Sequence, residues 1–335
     1  MKITSFGDMA QSQYLRMRNM ELKQQVASLG QELSTGKTSD LTGRLGADFT
    51  YLADVERNLA RMDSYDVTVM EATLFASSAQ DYLMNINTNV TDLRANFLTF
   101  GTYATAENAD QMAGDSRLYL RSSISAMNGS AGGRNLFAGT ATDTEPLNDV
   151  DTLMSALVTE VTGLTTAADV AQAVKDWFDD PAGFDAVMYN GSTNSLAPVQ
   201  VGPSDQISLD LRADDPDVKF VLQAFAIGAI GNEAGLSFSD EIKTDLVNIT
   251  TSELQESEDR VINLRADVGF AQGRIEEVST RNLAAKTSLG LAKNSLIEAD
   301  PYETFTRLEE AQTQLESLYT VTVRSSQLSL LRFMS

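Results

Sequence analysis

The sequence has no cysteine and no histidine among its 335 residues. Without cysteine the chain can form neither a disulfide bond nor a thiolate nucleophile, and without both residues it lacks the usual ligands of a zinc site. A Ser-His-Asp triad is excluded for the same reason. Acid–base chemistry by Asp, Glu, Lys or Tyr is left open, but the missing histidine weighs against an enzyme. We therefore predict no catalytic residues, no metal and no cofactor.

Basic residues and long apolar runs are also scarce. The chain has 25 Lys and Arg against 47 Asp and Glu, a net charge of −22, so nucleic acid and anionic lipid would repel it. Its longest nearly apolar run, FVLQAFAIGAI (220–230), is too short to span a bilayer, and its first residues lack the features of a cleaved secretory signal. These patterns predict a protein that does not insert into membranes and is either cytoplasmic or exported without signal cleavage.

Proline is rare as well, and its positions divide the chain. Five of the six prolines lie between residues 146 and 216, and the sixth is Pro301. Because proline disrupts helix interiors, long helices can form on both sides of the middle region but not within it.

On both sides of the middle region, apolar residues have a heptad-like spacing. From Val261 to Leu296, ten of eleven positions spaced by three and four residues are apolar, which is typical of a coiled-coil seam. A helix over 254–296 would be roughly 64 Å long. A matching ladder, flanked by a second apolar stripe, starts at Leu52 and predicts a helix packed between neighbours; its apolar members are Leu52, Val55, Leu59, Met62, Val69, Ala76, Leu83, Val90 and Phe97. A third helix is predicted over about 106–128.

The middle region has another pattern. A short helix is predicted at 169–179, strands at 184–189, 199–201 and 207–211, and a buried helix over 220–230. Together these patterns predict a mainly α fold: an elongated antiparallel helical bundle or coiled-coil rod (45–140 and 246–299) with a small α+β domain inserted at 141–245.

Both ends of the chain also have helical spacing, but their seams are weak. Only four of eight N-terminal seam positions are large apolar residues; the eight are Ile3, Phe6, Ala10, Gln13, Met17, Met20, Gln24 and Ala27. Each large residue contributes about 1.5–3 kcal/mol on burial, whereas ordering each backbone residue costs roughly 1–2 kcal/mol. We therefore predict that the terminal helices, 1–44 and 300–335, are disordered in the monomer until they assemble with partners.

Three motifs in this arrangement resemble the bacterial flagellin family of axial proteins. LSTGK (33–37) is similar to the family's Leu-Ser-x-Gly-Lys/Arg turn, GGRNLFAGT (132–140) to its Asn-Leu-Phe-x-Gly-Thr segment, and SQLSLLRFM (326–334) to its Ser-Leu-Leu ending. MKITSFG (1–7) resembles the start of the branch found at the hook–filament junction. TSDLTGRLGAD (38–48) replaces the Pro-Ser-Asp-Asp-Pro segment that is common in the family.

The resemblance implies an extracellular structural component of the flagellum, exported without a cleaved signal. It would join the hook, through a neighbouring hook-associated protein, to the flagellin filament as a ring of identical subunits. Its partners would be its own copies, that neighbour, flagellin, the export apparatus and a cytoplasmic chaperone. The alternatives are a filament flagellin, a secreted coiled-coil adhesin or effector, and an enzyme that uses carboxylates. The expected assembly residues are Ile3, Phe6, Met17, Met20, Leu315, Leu318, Leu330, Leu331 and Phe333.

Several polar features have two interpretations. GGRNLFAGT lacks the lysine and the spacing of a phosphate-binding loop, so we interpret its glycines as a turn that ends the preceding helix, with Leu136 and Phe137 plugging the inserted domain. The loop carboxylates Asp143, Glu145, Asp149 and Asp151 could ligate calcium, but their spacing favours a solvated loop. Asn282 either fixes the register of the long seam or lies at its solvated edge.

Overall fold

The computed structural model describes the backbone of residues 4–101 and 105–334 and the side chains of residues 9–99, 105 and 107–324. The chain divides into two compact units. Residues 63–283 form one unit, and the other contains both ends of the chain, 1–62 and 284–335. The predicted limits of the rod, of the inserted domain and of the terminal segments stay predictions.

Helices dominate the described part of the chain. They are α1 (Thr4–Thr35), α2 (Leu41–Leu45), α3 (Thr50–Gly101), α4 (Ala106–Met127), α5 (Val150–Val161), α6 (Ala167–Asp179), α7 (Phe184–Val187), α8 (Pro216–Ala229), α9 (Asp240–Ile297) and α10 (Pro301–Met334), with a short 3-10 turn at Ile230–Asn232. Two antiparallel two-stranded pairings accompany them: β1 (Ser130–Ala131) with β2 (Arg134–Asn135), and β3 (Val199–Gln200) with β4 (Gln206–Ile207). The predicted mainly α class with small strands in the middle is confirmed.

The long predicted helices are present, and their ladders form the core. In α3 the apolar residues of the ladder, from Leu52 to Phe97, are buried, apart from the half-buried Leu59. In α9 the buried positions of the seam end at Asn282, because Ala285 is exposed and Leu289 is only half-buried. Beyond Asn282 the apolar positions of the α9 seam are at most half-buried in the described part of the chain.

The middle of the chain shares one hydrophobic core with α3, α4 and α9. Trp177, Phe178 and Phe184 form an aromatic cluster there, with ring centroids 5.0–6.4 Å apart, so these residues belong to the core. Helix α5 is an element that the sequence analysis missed. Asp149 caps it by accepting a hydrogen bond from the Thr152 N–H at 2.8 Å.

The predicted strand at 184–189 is wrong, because residues Phe184–Val187 form the short helix α7. Phe184, Val187 and Met188 are spaced by three and four residues, which is the period of a helix rather than a strand. The Met188 N–H donates to the Phe184 carbonyl at 2.8 Å, which closes the helical turn and buries both side chains. A run of six residues was too short to separate the two periods.

GGRNLFAGT forms a turn, as predicted, but not at the end of the helix. Helix α4 ends at Met127 with Asn128 as its cap, and the two glycines Gly132 and Gly133 lie five residues further on. Both have positive φ (59° and 79°), and they connect β1 to β2. Leu136 and Phe137 follow directly and are fully buried, which confirms their predicted role as core plugs.

Candidate assembly surface

Helices α1 and α10 pack on each other, and backbone hydrogen bonds join the segment that follows α1 to the segment that precedes α10. The Thr38 N–H donates to the Ile297 carbonyl at 2.8 Å, and the Ala299 N–H donates to the Gly36 carbonyl at 2.9 Å. The end of α1 therefore lies beside the start of α10. Arg18, halfway along α1, contacts Gln314 at 3.4 Å, so the two helices run antiparallel.

The LSTGK turn ends α1 through local chemistry. Gly36 has a φ of +69°, and its N–H donates to the Glu32 carbonyl at 2.8 Å. A glycine in the left-handed backbone conformation is a common C-terminal cap of a right-handed α-helix. The buried Glu32 carboxylate accepts a hydrogen bond from the Ser39 N–H at 2.7 Å. Asp40 then caps α2 by accepting from the Gly43 N–H at 2.8 Å. The segment that departs from the family pattern thus forms a capped helical turn of its own.

One face of α1 is covered by α10. It carries the half-buried Leu15 and Val26 and the buried Leu22 and Leu29. Leu15, Leu22 and Leu29 are seven residues apart, the repeat of a coiled-coil position. The covered face of α10 repeats every three or four residues and consists of Thr304, Leu308, Ala311, Leu315 and Leu318. The two seams together make a single interface between the ends of the chain.

The opposite face of α1 is open and apolar. Met17 is 64% exposed and Met20 is 71% exposed, and Met9 is exposed on the same face. At 100° per residue, Met9 and Met20 lie about 140–180° from Leu22 and Leu29 around the helix. The N-terminal seam proposed from the sequence, where it is described, is this open face, because Ala10, Gln13, Gln24 and Ala27 are exposed too.

The expected assembly residues thus fall into three groups. Met17 and Met20 lie on the open face of α1, whereas Leu315 and Leu318 are half-buried against α1. Ile3, Phe6, Leu330, Leu331 and Phe333 lie outside the residues whose side chains are described. The sequence analysis missed the covered seam, although its leucines at a spacing of seven were a signal that could have revealed it.

A polar edge flanks the α1–α10 seam. The Lys23 ammonium lies 5.8 Å from the centre of the Tyr319 ring, and its hydrogen bond lowers the pKa of the Tyr319 hydroxyl. Both side chains are solvent-exposed, so this edge adds orientation more than stability.

Several carboxylates of the middle region have structural partners. Asp149 caps α5, and the hydrogen bond from the Thr152 N–H lowers its pKa. Asp151 pairs with Arg117 at 2.7 Å, and Asp217 pairs with Arg260 at 2.6 Å. Asp143 and Glu145 are exposed in the loop before α5. Among the described residues, no group of three or more acidic side chains is arranged to hold a metal ion.

Asn282 is a buried polar anchor on α9. Its side chain is 3% exposed, and its Nδ2 donates to the Val201 carbonyl at 2.7 Å. Asp205, in the turn between β3 and β4, accepts from Arg274 and from Arg281, each at 2.8 Å. These contacts fix the β3–β4 turn on α9. Asn282 is therefore buried and does not lie at a solvated edge, but its hydrogen-bond partner is this turn rather than another helix, so its predicted role in helix register stays a prediction.

Comparisons with known proteins agree with this geometry. Residues 248–334, which include most of α9 and all of α10, match the model of the bacterial flagellin C-terminal helical region. No curated protein sequence matches the chain significantly.

Solved structures share the fold at low sequence identity. A structure titled as a flagellar hook-associated protein from Vibrio parahaemolyticus aligns with a TM-score of 0.51 and 14% identity, over 73% of this chain and 95% of that one. FlgL of Bacillus cereus aligns with a TM-score of 0.53 and 11% identity, over 72% of this chain and 100% of that one. The chain therefore has a fold similar to that of flagellar hook-associated proteins and a C-terminal region similar to that of flagellin.

None of the helices in the described ranges is both long enough and apolar enough to cross a membrane.

Proposed function

We propose that this protein is a structural, non-enzymatic component of the bacterial flagellum, and specifically a hook-associated protein 3. It would form a ring of subunits that joins the hook, through a neighbouring hook-associated protein, to the flagellin filament. The match of residues 248–334 to flagellin and the fold shared with hook-associated proteins support the flagellar class. The MKITSFG start supports the junction branch over its alternative, a filament flagellin.

The observation that carries the proposal is the pair of opposite apolar faces on α1. One face, around Leu22, is covered by α10, and the other, around Met17 and Met20, is covered by nothing in the described part of the chain. Burying each methionine would contribute about 1.5–3 kcal/mol. Methionine also adapts its shape to different neighbours. The open face is therefore suited to contact the terminal helices of adjacent subunits.

The covered face of α1 is narrow for a helix of 32 residues, because its large apolar residues are only Leu15, Leu22, Val26 and Leu29. Helices of this kind depend on tertiary contacts for their stability. We infer that the terminal helices order fully only when neighbouring subunits cover the open face. Such a chain would suit export in an unfolded state, with a chaperone protecting its ends.

A charge on the open face tests the assembly role. We expect M20D to leave the protein exported but to prevent its retention on the flagellum, because an aspartate there would have to be buried in the subunit contact. The matched control is T165D, in the exposed α5–α6 connection, which should support normal motility on soft agar. Normal filaments in the M20D strain, seen by electron microscopy, would refute the role of this face.

The position along the flagellum separates the junction protein from its alternatives. Since the chain has no cysteine, T165C gives a single site for a maleimide dye or gold label on intact cells. We expect one band between hook and filament. Label along the whole filament would identify a flagellin instead, and label away from the flagellum would overturn the flagellar assignment.

A further inference from the structure

The chain contains two Asn-Gly pairs, Asn128–Gly129 and Asn190–Gly191. In such a pair the backbone nitrogen of the glycine can attack the side-chain amide carbon of the asparagine, since glycine has no side chain to hinder the approach. Whether the reaction occurs in a folded protein depends on how firmly the amide and the attacking nitrogen are held. The two pairs differ in both respects.

The Asn190–Gly191 pair lies in an exposed loop after α7. A single hydrogen bond holds the Asn190 amide, from its Nδ2 to the Asn148 Oδ1 at 2.9 Å. The attacking group is free, because the Gly191 N–H has no acceptor in the part of the chain that the structure describes. The asparagine is open to solvent, so water can reach the site.

The Asn128–Gly129 pair is locked. The Asn128 Nδ2 donates to the Leu147 carbonyl at 2.9 Å, and its Oδ1 accepts from the Leu147 N–H at 2.8 Å. The Gly129 N–H donates to the Ala126 carbonyl at 3.0 Å at the end of α4, and Gly129 is buried against the Tyr82 ring. Reaction here would require three hydrogen bonds to break in a packed region.

We propose that Asn190 is a site of spontaneous deamidation in the folded protein. The Gly191 nitrogen forms a bond to the Asn190 Cγ and loses its proton, while the Cγ–Nδ2 bond breaks and ammonia leaves. The resulting succinimide is opened by one water molecule, which yields either aspartate or isoaspartate at position 190. No oxidant, reductant or enzyme takes part.

The surroundings determine what the new carboxylate does. The Asn148 amide cannot simply turn over to donate to it, because the Asn148 Nδ2 already donates to the Val187 carbonyl at 2.7 Å. The carboxylate therefore faces an amide oxygen, and the hydrogen bond between the two side chains is lost. Isoaspartate also lengthens the backbone between two fixed points, the Asn190 N–H on Pro146 and the Ser192 N–H on Ala138. Deamidation thus loosens the loop that follows α7.

The test follows both pairs in the full purified chain, incubated at mildly alkaline pH with and without concentrated urea. The chain is digested in heavy-oxygen water, so that asparagines converted during digestion carry the heavy isotope and those converted beforehand do not. Mass spectrometry then measures the converted fraction at each asparagine. In the folded chain we expect Asn190 to convert at least about tenfold faster than Asn128, since each further hydrogen bond that must open is worth a factor of several. In urea the two rates should converge.

Equal rates in the folded chain, or a faster reaction at Asn128, would overturn the proposal. So would an Asn190 that stays intact in the folded chain while it converts in urea. Two variants sharpen the result. N190S should remove isoaspartate labelling by an isoaspartyl methyltransferase, and N148A should accelerate conversion at Asn190 by severalfold because it frees the amide. If N148A slows the reaction, the Asn148 contact promotes rather than restrains it, and our account of the geometry fails.

Discussion

Replacing the core plug Phe137 by alanine should strongly destabilise the unit formed by residues 63–283. The Phe137 side chain is 1% exposed and packs edge-on against Tyr82, with ring centroids 6.5 Å apart. A Phe→Ala change at such a site costs about 3–5 kcal/mol, because it removes apolar contacts and leaves a cavity. For a unit of this size the midpoint of thermal unfolding should fall by roughly 6–20 °C.

The same chain offers a matched control in Phe270, which is 78% exposed on α9. F270A should change the free energy of unfolding by no more than about 0.5 kcal/mol. Both variants are compared by urea denaturation followed by far-UV circular dichroism, with the slope of the transition checked for constancy. A loss below about 1 kcal/mol in F137A, or an equal loss in both variants, would refute the role of Phe137 as a core plug.

Three further outcomes are expected. N282L should lower the free energy of unfolding in urea by about 1–3 kcal/mol, because it leaves the buried Val201 carbonyl without its donor. The control N263L, on the exposed face of α9, should leave that free energy unchanged, and equal effects of the two variants would contradict this. Burial raises the pKa of Asp215, so the folded state binds its proton more tightly and this group's contribution to stability is lost as pH rises through the folded pKa. D215N keeps the cap of α8. Between the ordinary aspartate pKa and neutral pH, the free energy of unfolding should fall less with pH in D215N than in the wild type. A steeper fall in D215N would contradict this expectation. L22A tests our inference that the terminal helices order fully only on assembly: it should weaken assembly, where Leu22 is buried against α10, but leave the unfolding of the isolated chain unchanged. A loss of about 2–5 kcal/mol in the isolated chain would show that α1 and α10 already pair stably before assembly and would contradict the inference.

The long helices could be predicted because their periodicity is sustained over many turns. The ladder of α3 and the seam of α9 repeat often enough to distinguish a helix from a strand without any tertiary information. The short elements could not be predicted this way. Phe184, Val187 and Met188 have helical spacing, but a single turn is too short for periodicity to exclude a strand. The burial of Phe184 against Trp177, and of Met188, depends on tertiary contacts.

The sequence predicted that α1 has an apolar assembly seam, but not which side of the helix is covered by the rest of the chain. Spacing alone identified a seam through Met17 and Met20, but it did not show that a second seam through Leu15, Leu22 and Leu29 lies on the opposite side of the same helix. Which seam is covered depends on α10, nearly the whole chain away. Similarly, the partner of Asn282 is a carbonyl in the β3–β4 region, and no local pattern points to it.

The contact between Arg18 and Gln314 joins residues 296 positions apart, which has a consequence for biosynthesis. Ribosomes add roughly 5–20 residues per second, so α1 emerges about 15–60 s before the part of α10 that covers it. During that interval both apolar faces of α1 are accessible to other molecules in the cell. Any factor that binds nascent chains through short apolar helices can therefore reach this one before its own chain competes for it.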